Sequence, residues 1–292
     1  MAAVTVPTRA LRSGALMPTI GLGTWPMSSA EAEVAVAAAI GAGYRMIDTA
    51  YAYGNEEGVG RGVRAGGVPR EDLFVTTKLN GEWHGFEEAQ EAFAASARRL
   101  GLDYVDLYLI HWPMPARDRY VDAWRGLIKL QEDGWVRAIG TSNFKPSHIR
   151  RLVAETGVSP EVNQIELNPL VPQEDARAFL AQSAISVQAW SPLGLGAHRM
   201  GAIEKGVSEP RSVLEDPAVV AIAQRHDRTP AQVVLRWHIE LGAAPIPKSV
   251  HPERMAANLD VFDFALEPAE IAAISGIDRG EHVGTDSDLF GH

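Results

Sequence analysis

Leu73-Phe74-Val75-Thr76-Thr77-Lys78 is a run of apolar and β-branched residues that stops on a single ammonium group. Two other runs end in the same manner. Met46-Ile47-Asp48 closes on a carboxylate, and Val105-Asp106-Leu107-Tyr108-Leu109-Ile110-His111 closes on an imidazole. β-branched and aromatic side chains suit a pleated, buried backbone, so each run reads as a strand covered on both faces. Each is followed by a loop and then by a segment with helical periodicity. In a parallel α/β architecture this order places an acid, an ammonium and an imidazole on the carboxyl rim of three successive strands, where such folds keep their chemistry.

Outward from these runs the alternation continues. Strand-like runs fall near 19–22, 45–48, 73–77, 105–110, 136–141, 161–165, 185–189 and 243–246. Helical segments fall near 30–42, 56–65, 86–100, 119–133, 146–155, 173–182, 217–226, 230–241 and 252–259, and another follows Pro268. Ser29 reads as the cap of the first helix, Pro217 and Pro230 open helices, and Gly101 and Gly134 close them. Eight strands alternating with helices predict one (β/α)8 TIM barrel domain spanning residues 1–292. Val4 and Val6, a turn at 12–15 and Leu16-Met17-Pro18 predict an N-terminal β-hairpin. A long Gly- and Pro-containing loop between Trp190 and Pro217, after strand seven, reads as a lid. A doubly wound nucleotide-binding sheet is the competing architecture, but it calls for a glycine-rich turn after its first strand. Gly58-Val59-Gly60-Arg61-Gly62 resembles one only superficially, because it lies in a helical segment.

Composition narrows the function classes. The formal net charge of −10 excludes the basic footprint of a duplex-binding protein. No cysteine is present, which removes disulfides, thiolate catalysis and Cys-ligated metals. The N-terminus lacks a signal-peptide core, and the longest apolar stretch, Val34 to Gly43, is about half a membrane span. The expectation is a cytoplasmic monomer with no nucleic-acid partner, no membrane association and no metal site, its nine histidines being scattered.

A lone Asp at a strand end is most often a helix cap or a ligand of backbone amides. Lys78 is harder to set aside, because a lysine entering a barrel mouth must find a partner or lose its charge. Asp48, one strand away, supplies the partner, and a purely structural ion pair would satisfy both. Tyr53, five residues past the acid, changes the balance. A phenol is a weak acid at neutral pH, and a neighbouring ammonium is expected to lower its pKa. The trio is then a tunable proton donor, and the imidazole beside it can orient a carbonyl oxygen. Such a set suits carbonyl reduction, in which hydride reaches carbon and a proton reaches oxygen. It suits ester hydrolysis poorly, since no Ser or Cys follows an elbow-type turn.

Gly43-Tyr44-Arg45-Met46-Ile47-Asp48-Thr49-Ala50, followed by Tyr53, Gly54-Asn55-Glu56 and Val59-Gly60, closely resembles the signature of the aldo-keto reductase superfamily. Gly140-Thr141-Ser142-Asn143-Phe144 resembles its middle signature, and Ile246-Pro247-Lys248-Ser249 with Arg254 and Asn258 its third. The resemblance runs from about Met17 to Phe264, and within the superfamily it is greatest to bacterial small-aldehyde and keto-sugar reductases. It implies a catalytic tetrad of Asp48, Tyr53, Lys78 and His111, with Tyr53 as general acid and a small carbonyl compound as substrate. It also implies NADPH/NADP+ held by Thr24, Ser142, Asn143, Gln164, Trp190, Ser191, Leu193, Lys248, Ser249, Val250, Arg254 and Asn258. The chemistry agrees, since without a glycine-rich phosphate turn the nucleotide's anions need Lys248 and Arg254, and Ser249 adds a donor at a helix start. Asn143 and Gln164 can clamp a carboxamide, and Trp190 offers a stacking face.

Two positions depart from the pattern. Thr141 stands where an aliphatic residue is usual, and Ala257 where many relatives carry a glutamate near the adenine. Trp25, Trp83 and Trp112 follow strands one, three and four and are expected to wall the substrate pocket. The short polar tail after Glu281 is expected to leave that pocket open. The rival from another class is an NADPH-binding sensor of slow turnover, and a metal-dependent barrel hydrolase is a third possibility with no clustered ligands behind it.

Overall fold

In the computed structural model, which describes residues 5–194, 212–278 and 286–291, the rim-bearing runs are neighbouring parallel strands. β1 (Thr8–Ala10) and β2 (Leu16–Pro18) pair antiparallel as the N-terminal hairpin. Its first arm starts later in the chain than the Val4–Val6 alternation suggested, and Val4 lies outside the described residues. The barrel strands are β3 (Leu22–Gly23), β4 (Met46–Asp48), β5 (Phe74–Leu79), β6 (Val105–Ile110), β7 (Val136–Ser142), β8 (Val162–Glu166), β9 (Ser186–Trp190) and β10 (Ala243–Pro245). They pair in chain order, all parallel.

The ring closes where β3 meets β10. Gly21 N–H donates to the Pro245 carbonyl at 3.0 Å, and Gly23 N–H donates to that of Pro247 at 3.1 Å. A Cβ on Gly23 would lie 2.8 Å from the Ile246 carbonyl oxygen, so this seam admits only glycine. The first strand is therefore shorter and later than the expected 19–22, because Thr19 is still held by the hairpin, its N–H donating to the Pro7 carbonyl at 2.9 Å.

Helices α1 (Ser29–Ala42), α2 (Glu56–Ala65), α3 (Phe86–Leu100), α4 (Tyr120–Glu132), α5 (Pro146–Thr156) and α6 (Glu174–Gln182) fill successive crossovers. α7 (Pro217–Arg225) and α8 (Pro230–Glu240) lie between β9 and β10, and α9 (Pro252–Leu259) and α10 (Pro268–Ser275) follow. The cap of α1 is Ser28 rather than Ser29. The Ser28 hydroxyl accepts from Glu31 N–H at 3.3 Å while Ser28 N–H donates to Glu31 Oε2 at 2.8 Å. The reason is spacing, since a capping box needs its acid three residues past the cap. The glycines of α2 serve packing. A Cβ on Gly58 would sit 1.8 Å from the Ser29 carbonyl oxygen, and one on Gly60 1.8 Å from that of Leu100, so α2 lies flush against its neighbours.

Apolar side chains fill the molecule in two layers. Met17, Met46, Phe74, Leu107, Leu109, Val162 and Ile246 plug the barrel interior, while Ile47, Val75, Tyr108, Ile139 and Ile165 face helical residues such as Phe93, Trp124 and Trp237. The hairpin closes the amino end. Arg9 donates to the Gly242 carbonyl at 2.6 Å and Arg12 to that of Ser159 at 2.5 Å, residues that precede β10 and β8. That leaves the carboxyl rim as the mouth. The expected lid falls mostly within 195–211, outside the described residues; its described flanks are a turn at Ser191–Gly194 and a short 3-10 segment, Val213–Glu215. Among the described residues no helix is long and apolar enough to cross a membrane.

Candidate active site

Strand register brings the rim groups together. Asp48 ends β4 opposite Thr76 of β5, Lys78 of β5 faces Leu109 of β6, and His111 N–H continues the ladder to the Leu79 carbonyl at 3.0 Å. Lys78 is 0% exposed and Asp48 2%. The ammonium donates to Asp48 Oδ1 at 2.5 Å, to the Thr49 carbonyl at 3.0 Å and to the Tyr53 hydroxyl at 3.2 Å. An ammonium has three protons, so its donors are fully engaged. The Tyr53 hydroxyl accepts from Lys78 and keeps its own proton for an acceptor in the cavity. The His111 ring meets the Tyr53 ring edge-on, with centroids 5.8 Å apart.

The second oxygen of Asp48 accepts from Gln164 Nε2 at 2.8 Å, and Gln164 Nε2 also reaches Gln188 Oε1 at 2.9 Å. β4 and β8 are four strands apart in an eight-stranded ring, so this amide crosses the barrel and fixes the carboxylate from the far side. Gln164 emerged from the sequence as an amide clamp, but its grip on Asp48 did not, because no pattern within the chain shows which strands stand opposite.

Electrostatics corrects one expectation. Burial pushes the Tyr53 phenol above its ordinary value; Lys78 pulls it down, Asp48 adds to the rise, and burial prevails. Tyr53 is therefore firmly protonated at neutral pH. Burial pulls the Lys78 ammonium down, but Asp48 and Tyr53 more than restore it, and it stays charged.

The remaining strands carry the amides. Asn143, in the left-handed region with φ 64°, donates through Nδ2 to the His111 carbonyl at 3.0 Å, and its Oδ1 accepts from the Trp190 indole at 2.9 Å. One side chain thus ties His111, at the end of β6, to the aromatic end of β9. The Ser142 hydroxyl donates to the Gln164 carbonyl at 3.0 Å, and Thr24 is held to the Asp48 carbonyl at 3.0 Å. Thr141 is satisfied by Asn163 Oδ1 at 3.0 Å, which explains a hydroxyl at a buried, usually aliphatic position.

A cavity of about 570 Å³ opens on these groups. Asp48, Tyr53 and His111 line it together with Thr24, Ser142, Asn143, Gln164 and Trp190, and Ser191, Leu193 and Lys248 line it further along. Lys248 and Arg254 are exposed, Asn258 is buried and Val250 half-buried, with the last three outside the cavity wall. The Ser249 hydroxyl is engaged in its own turn, donating to the His251 carbonyl at 3.3 Å and accepting from His251 N–H at 3.1 Å. Trp25 and Trp112 form part of the wall; Trp83 does not, because its ring packs on the core and its indole donates to Glu82 at 2.8 Å. The expectation of an open pocket also changes. Phe290 of the tail joins the wall, its ring edge-on to Trp112 at 5.0 Å. Only an isolated aromatic in a polar tail hinted at it.

The turn at Ser191–Gly194 is anchored from behind by His238, 0% exposed, whose Nε2 donates to the Pro192 carbonyl at 2.9 Å. Burial pushes this imidazole down to about 4. A folded-state value below the unfolded one means that stability is complete above the unfolded pKa near 6.5 and is lost as pH falls towards 4. Acidifying from pH 7 to 5 is expected to cost about 2 kcal/mol through this residue. Urea midpoints of wild type and His238→Gln across that range check it; equal acid loss in both contradicts the assignment.

A (β/α)8 barrel whose carboxyl rim joins a half-buried phenol to a buried ammonium and carboxylate beside an imidazole has the architecture of a carbonyl oxidoreductase. The chain belongs to the aldo/keto reductase family, whose model matches residues 19–279. It is 47% identical to an aldo-keto reductase of Mycolicibacterium smegmatis over 97% of this chain and 98% of the relative. It is 46% identical to the methylglyoxal reductase DkgA of Escherichia coli, over 96% and 97%. Among solved structures, the Bombyx mori aldo-keto reductase in complex with NADP superposes with a TM-score of 0.88 at 38% identity, covering 98% of this chain and 97% of that one.

Proposed function

We propose that this chain reduces the carbonyl group of small aldehydes and ketones to alcohols with NADPH, Tyr53 acting as general acid. The observation that carries the reading is the donor count at Lys78. With its three protons given to Asp48, Thr49 and Tyr53, the phenol retains one proton with the cavity before it. The residues along the cavity suit a dinucleotide phosphate. Asn143 and Gln164, whose N–H groups are engaged at His111, Ser142, Asp48 and Gln188, keep amide oxygens that can accept from a carboxamide; Trp190 presents a half-buried ring, and Lys248 on the wall and Arg254 beyond it offer exposed cations. When bound, NADPH supplies the hydride that reaches the carbonyl carbon.

Every other task falls to this chain. His111 orients the carbonyl oxygen towards Tyr53. Tyr53 gives its proton to that oxygen as negative charge develops there, and the phenolate left behind is stabilised by Lys78 until solvent returns the proton. Asp48, braced by Gln164, keeps the ammonium in place. Ser142, Asn143 and Gln164 would hold the carboxamide of a bound NADPH, Trp190 would offer its ring to the nicotinamide, Thr24, Ser191 and Leu193 would serve the pyrophosphate, and Lys248, Ser249, Val250, Arg254 and Asn258 would serve the adenosine end. The relation to methylglyoxal reductases makes small 2-oxoaldehydes the first substrates to try, and we take the enzyme to be a cytoplasmic monomer. No observation favours a sensor.

The test is NADPH oxidation followed at its absorbance band across a panel of aldehydes and ketones, with NADH in parallel. Absence of turnover with any carbonyl overturns the reading. Lys248→Ala with Arg254→Ala is expected to raise the KM for NADPH roughly 10- to 100-fold, since two charged contacts are lost, and to leave that for NADH nearly unchanged. An equal rise for both cofactors would remove these residues from the 2′-phosphate.

A further inference from the structure

The tail segment 286–291 is a compact turn. Phe290 N–H and Leu289 N–H both donate to the Asp286 carbonyl, at 2.9 and 3.0 Å, and Asp288 N–H donates to Asp286 Oδ1 at 3.0 Å. One end of this turn carries two carboxylates and the other an aromatic ring. The carboxylates meet the start of α5. Lys145 Nζ lies 2.5 Å from Asp286 Oδ1 and 2.5 Å from Asp288 Oδ2. His148, 5% exposed, has its Nδ1 accepting from Lys145 N–H at 3.1 Å, which leaves the ring proton on Nε2 to donate to Asp288 Oδ1 at 2.8 Å. A helix amino end with its exposed N–H groups is itself favourable to two acids. The ring at the other end is Phe290, on the cavity wall against Trp112.

We propose that Asp286 and Asp288, clipped to Lys145 and His148, hold Phe290 against Trp112 as the outer wall of the carbonyl pocket and so set the enzyme's discrimination between small and bulky substrates. Asp286 and Asp288 are positioning residues; they act through Phe290. With the wall in place a small carbonyl is enclosed between Trp25, Trp112 and Phe290, and a fused aromatic aldehyde must displace the turn. The clip is salt-sensitive by construction, because the side chains of Lys145, Asp286 and Asp288 are each between 39% and 51% exposed and exposed pairs are screened by ions. The inference rests on the reading of the cavity as the carbonyl site.

The experiment measures kcat/KM for 2-naphthaldehyde and for methylglyoxal at saturating NADPH, and follows their ratio in the full chain. Using a ratio at saturating cofactor removes the salt dependence of nucleotide binding. D286N/D288N and, separately, Phe290→Ala are each expected to raise the naphthaldehyde-to-methylglyoxal ratio about fivefold. Added sodium chloride is expected to raise it in the wild type and to leave it flat in D286N/D288N. If Phe290→Ala moves the ratio and D286N/D288N does not, the ring is a wall but the acids do not hold it, and the proposal fails. If neither moves it, the substrate does not lie at this end of the cavity, and the proposal fails together with the reading of the cavity, while reductase turnover itself stands.

Discussion

Replacing Tyr53 with Phe is expected to lower kcat for aldehyde reduction by roughly 10²- to 10⁴-fold, the range attributable to a positioned general acid. NADPH affinity, read by quenching of protein fluorescence, is expected to change by less than about twofold, since the ring remains and only an oxygen is removed. The argument is local. Lys78 has no proton left to give, and Tyr53 OH is the group it supports towards the cavity. The pH profile supplies the second readout. Because burial raises the phenol above its ordinary value, the acid form persists through neutrality, and reduction at saturating substrate should stay level until the alkaline range. The activity is lost as pH rises through the phenol's titration, the direction required of a group that works protonated. Turnover in Tyr53→Phe within tenfold of wild type would remove Tyr53 from proton transfer.

Much of this site is legible in the sequence. The rim positions of Asp48, Lys78 and His111 follow from strand ends, because a run of buried residues closing on a lone polar group leaves that group on the rim. What stayed hidden depends on geometry across the barrel or on competing energies. Gln164 steadying Asp48 requires knowing that β4 and β8 face each other. The sign of the Tyr53 shift requires weighing an ammonium against desolvation, and sequence reveals the first while concealing the second. Trp83 falls outside the wall and Phe290 joins it for a related reason. An aromatic after a strand is as easily drawn into the core as into a mouth, and a polar tail reveals nothing of where it docks until Lys145 and His148 are seen to receive it.

Lys78→Met poses the sharper question, because a structural ion pair and a catalytic relay predict the same first result. Removing the ammonium leaves Asp48 charged, 2% exposed and dependent on Gln164, so the variant is expected to lose about 3–5 kcal/mol of stability as well as most of its turnover. The companion variant, Lys78→Met with Asp48→Asn, separates the two roles. It buries no unpaired charge, and the new amide can still accept from Gln164. Its urea midpoint should therefore return most of the way to wild type. A pair that served only the fold would recover activity along with stability. A pair that stabilises the phenolate left by Tyr53 would recover stability alone, with kcat still depressed by roughly 10²-fold or more, because no cation remains beside the phenol. We expect the second outcome, measured by denaturant titration and by NADPH oxidation on the same preparations; restored turnover in the double variant would reduce Lys78 and Asp48 to scaffolding.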